Sequence, residues 1–324
     1  MNFLDIGQQK NIYADGIHDD TKAIQSCLNE LKDGGTIYFP DGTYLISASL
    51  IFYSNQRLKF SENARLLRSA KSEPITKYML ASYSEPTVAG YEGTHDVEIS
   101  GGIFDGNAET DEKLTIVNTV HCKNIVIKNV HFVHGSMWHY IELNSTCDSK
   151  VLNCCFDGPS YVAMRENLTS ELVQIDAPEI SPTLTTYGPV FNCDDELIAF
   201  LPDKTPCRNI LLQENIFICD GFTAIGHHCN YEHTDIIIND NIFVGVSGNN
   251  VVSRGYLTFM DKTHDVTVTN NVFNSYSGKD SISWGIQTKN DTENVIKAEN
   301  NLFIGKFDKY FIGGISESNN TFSE

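Results

Sequence analysis

One pattern of apolar and polar positions recurs along most of the chain. A strand in which Val or Ile alternates with polar residues is followed by Asn, and then by a short apolar stretch that ends in Phe. The copies are HDVEISGGIF (95–104), KNIVIKNVHF (123–132), SKVLNCCF (149–156), RNILLQENIF (208–217), TDIIINDNIF (234–243), HDVTVTNNVF (264–273), NVIKAENNLF (294–303) and SESNNTF (316–322). This alternation predicts strands with one buried face.

The spacing of the copies predicts how they assemble. Most of the closing Phe residues follow one another after 24 to 30 residues, with one step of 61 residues between Phe156 and Phe217. A single coil of this length cannot bury its own apolar face, whereas a stack of coils can. Asn tolerates the left-handed backbone of a tight bend and hydrogen-bonds to its neighbours. We therefore predict an all-β fold, a right-handed parallel β-helix that forms a single domain over residues 1–324.

Residues 1–60 are expected to form the N-terminal cap and the first coil. Asp19-Asp20-Thr21 offers a helix N-cap, KAIQSCLNELK (22–32) has apolar residues at helical spacing, and Gly34-Gly35 ends the helix. A capping helix at this position would protect the open edge of the stack.

Two resemblances sharpen this prediction. ADGIHDDTKAIQSCLNELKDGGTIYFPDGTYLIS (14–47) resembles the N-terminal segment of the pectate-lyase-like superfamily, which includes polysaccharide lyases, family 28 glycoside hydrolases and phage tailspikes. HYIELNS, ELVQIDAP, DKTPCRNI and AIGHHCNYEHTDIIINDNIF are similar to the β-helix of Gram-positive surface proteins of the plasmin- and fibronectin-binding type. Both resemblances imply a groove that handles carbohydrate, and the second implies an adhesin as readily as an enzyme.

Between the copies lie second strands that carry polar residues. They are WHYIELN (138–144), ELVQIDA (171–177), TAIGHHC (223–229), GYLTFMD (255–261) and WGIQTK (284–289). Strands of neighbouring coils are about 4.8 Å apart. If these strands stack in register, one surface gathers His139, Glu142, Gln174, Asp176, His227, His228, Arg254 and Tyr256.

Such a surface has the groups that glycoside hydrolysis requires. The reaction needs two carboxyl groups, one to protonate the leaving oxygen and one to activate water or attack. Asp176 is the first candidate and Glu142 the second. Asp194 or Asp195 replaces Glu142 if the insertion at about 178–206 folds beside the groove, and His227 would orient a carboxyl.

The remaining candidates are substrate-binding residues. Trp138, Tyr187 and Tyr256 offer aromatic faces to sugar rings, and Arg254 offers a cation to a hydroxyl or an acidic sugar. His139, Gln174 and His228 complete this set. Two adjacent histidines in a strand point to opposite faces, so one of His227 and His228 is expected to be packed and the other exposed.

The order of several of these residues resembles the site of the family 28 polygalacturonase-like hydrolases. Asp176, Asp194-Asp195, Gly226-His227-His228 and Arg254 follow in the order of that family's motifs. The chain departs from the pattern at Gln174, His228 and Tyr256, where the family has Asn, Gly and Lys. Those departures leave open which carboxyl groups act.

The net charge and the spacing of possible metal ligands limit the partners that the chain is expected to bind. The formal net charge is −19, and the isoelectric point of about 4.8 is acidic. Nucleic acid and anionic membranes need clustered Lys and Arg, so both are excluded as partners, and a neutral polysaccharide or oligosaccharide is favoured over a uronate. The histidines lack a zinc spacing and the acidic runs do not match a calcium loop, so no metal and no cofactor is expected.

The expected function is therefore cleavage of a polysaccharide by a glycoside hydrolase. The alternatives are a non-catalytic glycan- or host-protein-binding module of an adhesin or phage particle, and a polysaccharide lyase with Arg254 as base. The chain shows no signal peptide, so we expect a protein that is cytoplasmic as synthesised, or part of a phage virion or extracellular after lysis. A monomer and a homotrimer are both compatible with the sequence.

Overall fold

A computed structural model describes the chain over residues 2–69, 78–107, 114–135, 138–158, 171–178, 190–191, 197–198, 200–219, 223–245, 255–275, 282–292 and 295–323. Within these residues the chain winds through three long parallel sheets, and each coil contributes strands to them in turn. The predicted right-handed parallel β-helix is confirmed.

Neighbouring strands within each of the three sheets follow one another in chain order. The first sheet contains Phe3–Asp5, Gly35–Phe39, Gln56–Phe60, His95–Ser100, Lys123–Lys128, Cys147–Leu152, Arg208–Gln213, Thr234–Asn239, Val266–Thr269, Ile296–Glu299 and Ile315–Ser318. The second sheet contains Asp15–Asp19, Gly42–Ile46, Ala64–Arg68, Ile103–Asp105, His131–Val133, Cys155–Phe156, Ile216–Cys219, Ile242–Gly245, Val272–Asn274, Leu302–Ile304 and Thr321–Ser323. The third sheet contains Leu50–Phe52, Tyr78–Ser82, Thr115–Val120, Ile141–Asn144, Glu171–Asp176, Thr223–Gly226, Leu257–Phe259, Ile282–Thr288 and Phe307–Ile312.

A ladder of asparagines joins the later coils at the bend between the first and second sheets. The side chain of Asn271 shows the pattern: its Oδ1 accepts from the backbone N–H of Asn241 at 2.8 Å, and its Nδ2 donates to Asn301 Oδ1 at 3.0 Å. The residue before the ladder position, such as Asn270, has the left-handed backbone (φ 58°). The paired asparagines of the repeat therefore have separate roles. The ladder residues are Asn215, Asn241, Asn271, Asn301 and Asn320.

The repeated phenylalanines stack inside the β-helix. Six successive ring pairs from Phe132 to Phe322 are stacked, with centroids 4.7 to 5.3 Å apart. At the preceding step, Phe104 meets Phe132 edge-on at 5.7 Å. Offset stacks and edge-to-face pairs both stabilise an apolar core. The column fixes the register of the coils and so the position of every outward side chain.

The helix Thr21–Glu30 covers the first coils. The side-chain amide of Gln25 accepts from the backbone N–H of Ile51 at 2.7 Å and donates to its carbonyl at 3.1 Å. Leu50–Phe52 is an edge strand of the third sheet, so Gln25 pairs backbone groups that a further strand would otherwise satisfy. The predicted capping helix is confirmed. In the described part of the chain, no helix is long and apolar enough to span a membrane.

A 3₁₀ turn at Ile6–Gln8 lies between the first two strands, and the short strands Val190–Phe191 and Leu197–Ile198 pair antiparallel within the insertion. The described end of the insertion, 200–206, is attached to earlier coils. Gly90 donates its backbone N–H to Asp203 at 2.8 Å, and Tyr91 donates its hydroxyl to the carbonyl of Pro206 at 2.6 Å.

Candidate functional site

The third sheet has a row of outward positions in register, which we call the outer row. It consists of Ala81, Asn118, Glu142, Gln174, Gly226, Thr258 and Gln287. Asn118, Glu142 and Gln174 are polar yet at least nine-tenths buried. Outward residues of the first sheet such as Lys150 and Arg208 are exposed instead. A buried polar row on the outside of a β-helix distinguishes this face from ordinary solvated surface.

Glu142 and Asp176, the two carboxyl candidates, lie on neighbouring strands of this face. Glu142 is in register with Gln174, and Asp176 with Asn144. Glu142 Oε1 accepts from the amide of Asn144 at 3.0 Å, and Oε2 accepts from the hydroxyl of Thr115 at 3.2 Å. The structure therefore brings both carboxyl groups to one face, as predicted from the alternation.

Asp176 is fully buried, and its carboxylate is held by N–H donors of its own chain. Oδ1 accepts from the backbone of Ala177 at 2.9 Å, while Oδ2 accepts from the backbone of His228 at 3.1 Å and the side chain of Gln174 at 3.2 Å. Burial raises the pKa of Asp176 to about 6, although these hydrogen bonds oppose the rise. The same contacts fix the backbone of His228.

A second cluster, the His139–Glu171–His228 cluster, joins residues at the start of two strands of this sheet to His228, which follows the end of Thr223–Gly226. His228 Nε2 is 3.0 Å from Glu171 Oε2, and His139 Nδ1 is 3.8 Å from the same oxygen. His139 Nδ1 also lies 2.8 Å from the backbone carbonyl of Glu171. Glu171 and His139 are buried, whereas the side chain of His228 is 35% exposed. His228 is therefore the part of the cluster that meets solvent.

The cluster is electrostatically coupled. Burial alone would lower the pKa of His228, but the Glu171 carboxylate outweighs it and raises the pKa to about 9. Burial alone would raise the pKa of Glu171, but His228 and His139 hold that pKa below its usual value. Burial lowers the pKa of His139, partly offset by Glu142 and Glu171. Glu171 and His228 are thus a charged pair beside a neutral His139.

The side chains of His227 and His228 point in different directions, as predicted: His227 is packed and His228 is partly exposed. His227 Nε2 lies 3.1 Å from the backbone nitrogen of Met260 and 2.8 Å from the hydroxyl of Thr263. Its Nδ1 lies 3.0 Å from the carbonyl of Cys229. Burial lowers the pKa of His227 to about 4. These contacts join His227 to the next coil rather than to a carboxyl of the outer row.

Tyr256 does not reach the predicted surface. Its ring is 1% exposed between Phe243 and Phe273, and its hydroxyl donates to the carbonyl of Asn274 at 2.7 Å. The reason is local: the N–H groups of both Ala224 and Ile225 bond to the Tyr256 carbonyl, which breaks the alternation. The expectation that Tyr256 stacks on a sugar is corrected accordingly.

The side chain of Trp138 lies next to the outer row, but it is buried and does not offer a free face to a sugar ring. It packs with Ile51, Tyr78 and Ala81, and its ring centroid is 6.0 Å from that of Tyr78. The other predicted residues, Tyr187, Asp194, Asp195 and Arg254, lie outside the described residues.

Glu171 is the residue that the sequence reasoning missed. Counting alternate positions back from Asp176 and Gln174 places Glu171 on the inner face. In the structure Leu172 and Val173 are both in the core, so the alternation shifts and Glu171 reaches the outer face. A glutamate directly before two successive apolar residues was the signal that could have found it.

The family comparison agrees with this architecture. Residues 8–137, less than half of the chain, match the family described as rhamnogalacturonase A/epimerase, pectate lyase-like. The chain has the pectate-lyase-like β-helix fold. The match covers the capping helix and the coils that precede Glu142, and it includes Ala81 and Asn118 of the outer row.

A surface protein of Streptococcus pneumoniae is similar to this chain. The plasmin and fibronectin-binding protein A of that organism is 27% identical over 237 residues, which is 66% of this chain. The chain spans only about a third (32%) of the length of that relative. A crystal structure of PfbA, described as a surface adhesin of Streptococcus pneumoniae, superposes with a TM-score of 0.66 at 21% identity, covering 100% of this chain and 92% of that one.

Carbohydrate-cleaving enzymes share the pectate-lyase-like fold. An iota-carrageenase complexed to iota-carrageenan fragments matches 89% of this chain and 57% of its own, with a TM-score of 0.60 and 13% identity. An exopolygalacturonase from Thermotoga maritima matches 99% of this chain and 92% of its own, with a TM-score of 0.53 and 11% identity. At these identities the likeness concerns the fold alone.

Proposed function

We propose that the chain is a glycoside hydrolase that acts on a polysaccharide, with Glu142 and Asp176 as its carboxyl pair. The observation that carries the proposal is their placement on neighbouring strands of one outward face. Neither carboxylate lies within 4 Å of a Lys or Arg nitrogen of the described residues, so neither is neutralised by such an ion pair. Two carboxyl groups on one face are the minimum that glycoside hydrolysis requires.

The setting of the pair supports the same chemistry. Gln174 lies between the two, in register with Glu142 and hydrogen-bonded to Asp176. Structures with this fold include an iota-carrageenase and an exopolygalacturonase. The net charge of −19 favours a neutral or weakly charged glycan over a polyanion.

The test is a screen of the purified chain against neutral and acidic polysaccharides. New reducing ends without the ultraviolet absorbance of an unsaturated sugar identify a hydrolase, whereas that absorbance identifies a lyase. We expect Glu142→Gln and Asp176→Asn each to lower turnover by about 100-fold or more. The matched control is Glu98→Gln, which changes a carboxylate paired with Lys128 on the first sheet and leaves turnover unchanged.

A non-catalytic binding module is the second candidate. It is favoured by the full burial of Asp176, whose oxygens are already bonded to backbone and amide donors of its own chain. It is also favoured by the similarity to a plasmin and fibronectin-binding protein. Such a module would bind a glycan or a host protein of that kind through its outer surface.

Product formation and binding separate the two candidates. Absence of product on every glycan, together with binding to a glycan array, plasmin or fibronectin that persists in folded Asp176→Asn protein, would favour the module. Far-ultraviolet circular dichroism and thermal unfolding of each variant establish that a loss of turnover is not a loss of fold.

A further inference from the structure

The His139–Glu171–His228 cluster contains two imidazoles and one carboxylate from three successive coils. His139 precedes the strand Ile141–Asn144, Glu171 begins the next strand, and His228 follows Thr223–Gly226. One ligand atom from each residue lies within 4.8 Å of the other two. Their separations along the chain are too long for a local zinc motif, which explains why no metal site was predicted.

One oxygen of the Glu171 carboxylate lacks a hydrogen bond from the part of the chain that the structure describes. Glu171 is 4% exposed, and its Oε2 has no hydrogen-bond partner among the described residues. His228 Nε2 is 3.0 Å away but does not meet hydrogen-bond geometry. A buried carboxylate oxygen without a donor is costly, and it requires a charged neighbour or a ligand.

The spacing suits two ligands of one ion. Zn²⁺ binds nitrogen and oxygen at about 2.0–2.1 Å, so two of its ligands at angles between about 90° and the tetrahedral angle lie about 2.8–3.4 Å apart. The separation of 3.0 Å between His228 Nε2 and Glu171 Oε2 is in that range.

Both histidines are anchored by second contacts. His139 Nδ1 lies 2.8 Å from the Glu171 carbonyl, an arrangement in which Nδ1 donates and Nε2 keeps the lone pair. The backbone N–H of His228 donates to Asp176 at 3.1 Å. Ligating histidines in metalloproteins characteristically donate their second ring N–H to a carbonyl or a carboxylate, which is the arrangement of His139, whereas His228 is held through its backbone.

The glycine at position 226 leaves room for the glutamate. A Cβ at Gly226 would lie 3.0 Å from Glu171 Cγ and 2.9 Å from the carbonyl oxygen of Thr258. The side chain of Glu171 therefore extends across this position toward His228. Nearby Glu142 and Asp176 add negative potential at the two histidines, which favours a cation.

From this geometry we infer that His139, Glu171 and His228 bind one Zn²⁺ ion. Two imidazoles and one carboxylate are a known three-residue set for zinc sites that keep a position open. Because the side chain of His228 is 35% exposed, water or a sugar hydroxyl could reach an ion bound there. This inference does not depend on the proposed hydrolase activity.

The test is zinc binding by the whole chain without any glycan. Protein stripped with EDTA and dialysed is titrated with ZnCl₂ by calorimetry, and Co²⁺ is added separately to record its visible absorption. We expect one tight Zn²⁺ per chain and Co²⁺ bands typical of low coordination. His228→Asn, at a partly exposed position, and Glu171→Gln should each weaken binding at least about tenfold.

The matched control is His264→Asn, which removes an exposed histidine that lies 2.7 Å from Asp265. Its zinc affinity should equal that of the unaltered chain. Absence of tight Zn²⁺ binding by the unaltered chain would overturn the inference and leave Glu171 and His228 as a salt bridge. Unchanged affinity in folded His228→Asn protein would overturn it as well, because the ion would then occupy a surface site.

Discussion

Glu142 and Asp176 stand diagonally on neighbouring strands of the third sheet, one strand and two residues apart. With strands about 4.8 Å apart and about 3.3 Å per residue, their Cα atoms are separated by about 8 Å. Their side chains project to the same side. Carboxyl groups at the same spacing as these Cα atoms would suit the about 6.5–9.5 Å of inverting glycosidases rather than the about 5–5.5 Å of retaining ones.

If the hydrolase proposal holds, we expect the first product to have inverted anomeric configuration. Proton NMR of the reaction within its first turnovers, before mutarotation, identifies the anomer. Release of the retained anomer would contradict the assignment of Glu142 and Asp176 as a pair, even if the chain proved to be a hydrolase.

The asparagine ladder predicts that two adjacent substitutions change the free energy of unfolding by very different amounts. Asn271→Gly removes the acceptor of the Asn241 N–H and the donor to the Ile238 carbonyl, both inside the stack. We expect the free energy of unfolding to fall by about 2–4 kcal/mol. Asn270→Gly should change it by less than about 1 kcal/mol, because Asn270 has the left-handed backbone that glycine adopts freely.

Urea unfolding followed by circular dichroism measures both asparagine variants. Equal destabilisation would mean that the two asparagines do not have the separate roles that the structure assigns.

Tyr256 offers a test of its position in the core. Tyr256→Phe keeps the ring between Phe243 and Phe273 but removes the hydrogen bond to the Asn274 carbonyl. We expect the free energy of unfolding to fall by about 1 kcal/mol. Glycan binding or turnover measured on the same preparation should be unchanged. A selective loss of either would contradict the position in the core and indicate that Tyr256 contacts the glycan.

Buried His233 makes stability depend on pH. Burial holds the pKa of His233 well below its usual value, and its Nδ1 accepts from the backbone N–H of Cys207 at 3.0 Å. As the pH falls below about 6.5, the imidazole of His233 binds a proton in the unfolded chain but not in the folded chain. The contribution of neutral His233 to the free energy of unfolding is therefore fully present above about pH 6.5, and it is lost as the pH falls toward the pKa of His233 in the folded chain.

We expect His233→Asn to flatten the decline of unfolding free energy with falling pH by up to about 1.4 kcal/mol per pH unit. The Asn side chain retains an acceptor for Cys207, so the fold is kept. His227, whose ring centroid is 4.7 Å from that of His233, titrates in the same direction and keeps part of the slope. The exposed His264→Asn is the control, and equal slopes in the two variants would refute the prediction.

Much of the fold could be predicted because its determinants are local and repeated. The spacing of Phe132, Phe156 and Phe217 identified the coils across an insertion, since an inward aromatic must recur once per coil. Gln25 could not be foreseen in the same way. Its pairing with Ile51 depends on where the helix rests on the edge of the third sheet, which no sequence period encodes.

The site was predicted in part, and the failures have one physical cause. Glu142, Gln174 and Asp176 follow strict alternation and were placed on the correct face. Tyr256 and Glu171 were misplaced because the strands of the third sheet begin with an irregular pairing, after which two successive residues face the core. A shift of one position turns an inward residue outward, so the error changes the face completely.

Each rung of the asparagine ladder is bonded to neighbouring rungs and to a backbone carbonyl of the preceding coil, so the same interior contacts recur from coil to coil. Two molecules with the same interior can therefore differ entirely in what they recognise. A change of ligand in this lineage would require new residues only at outward positions and in the loops between strands. The same scaffold can accordingly serve an adhesin and an enzyme without any change to its interior.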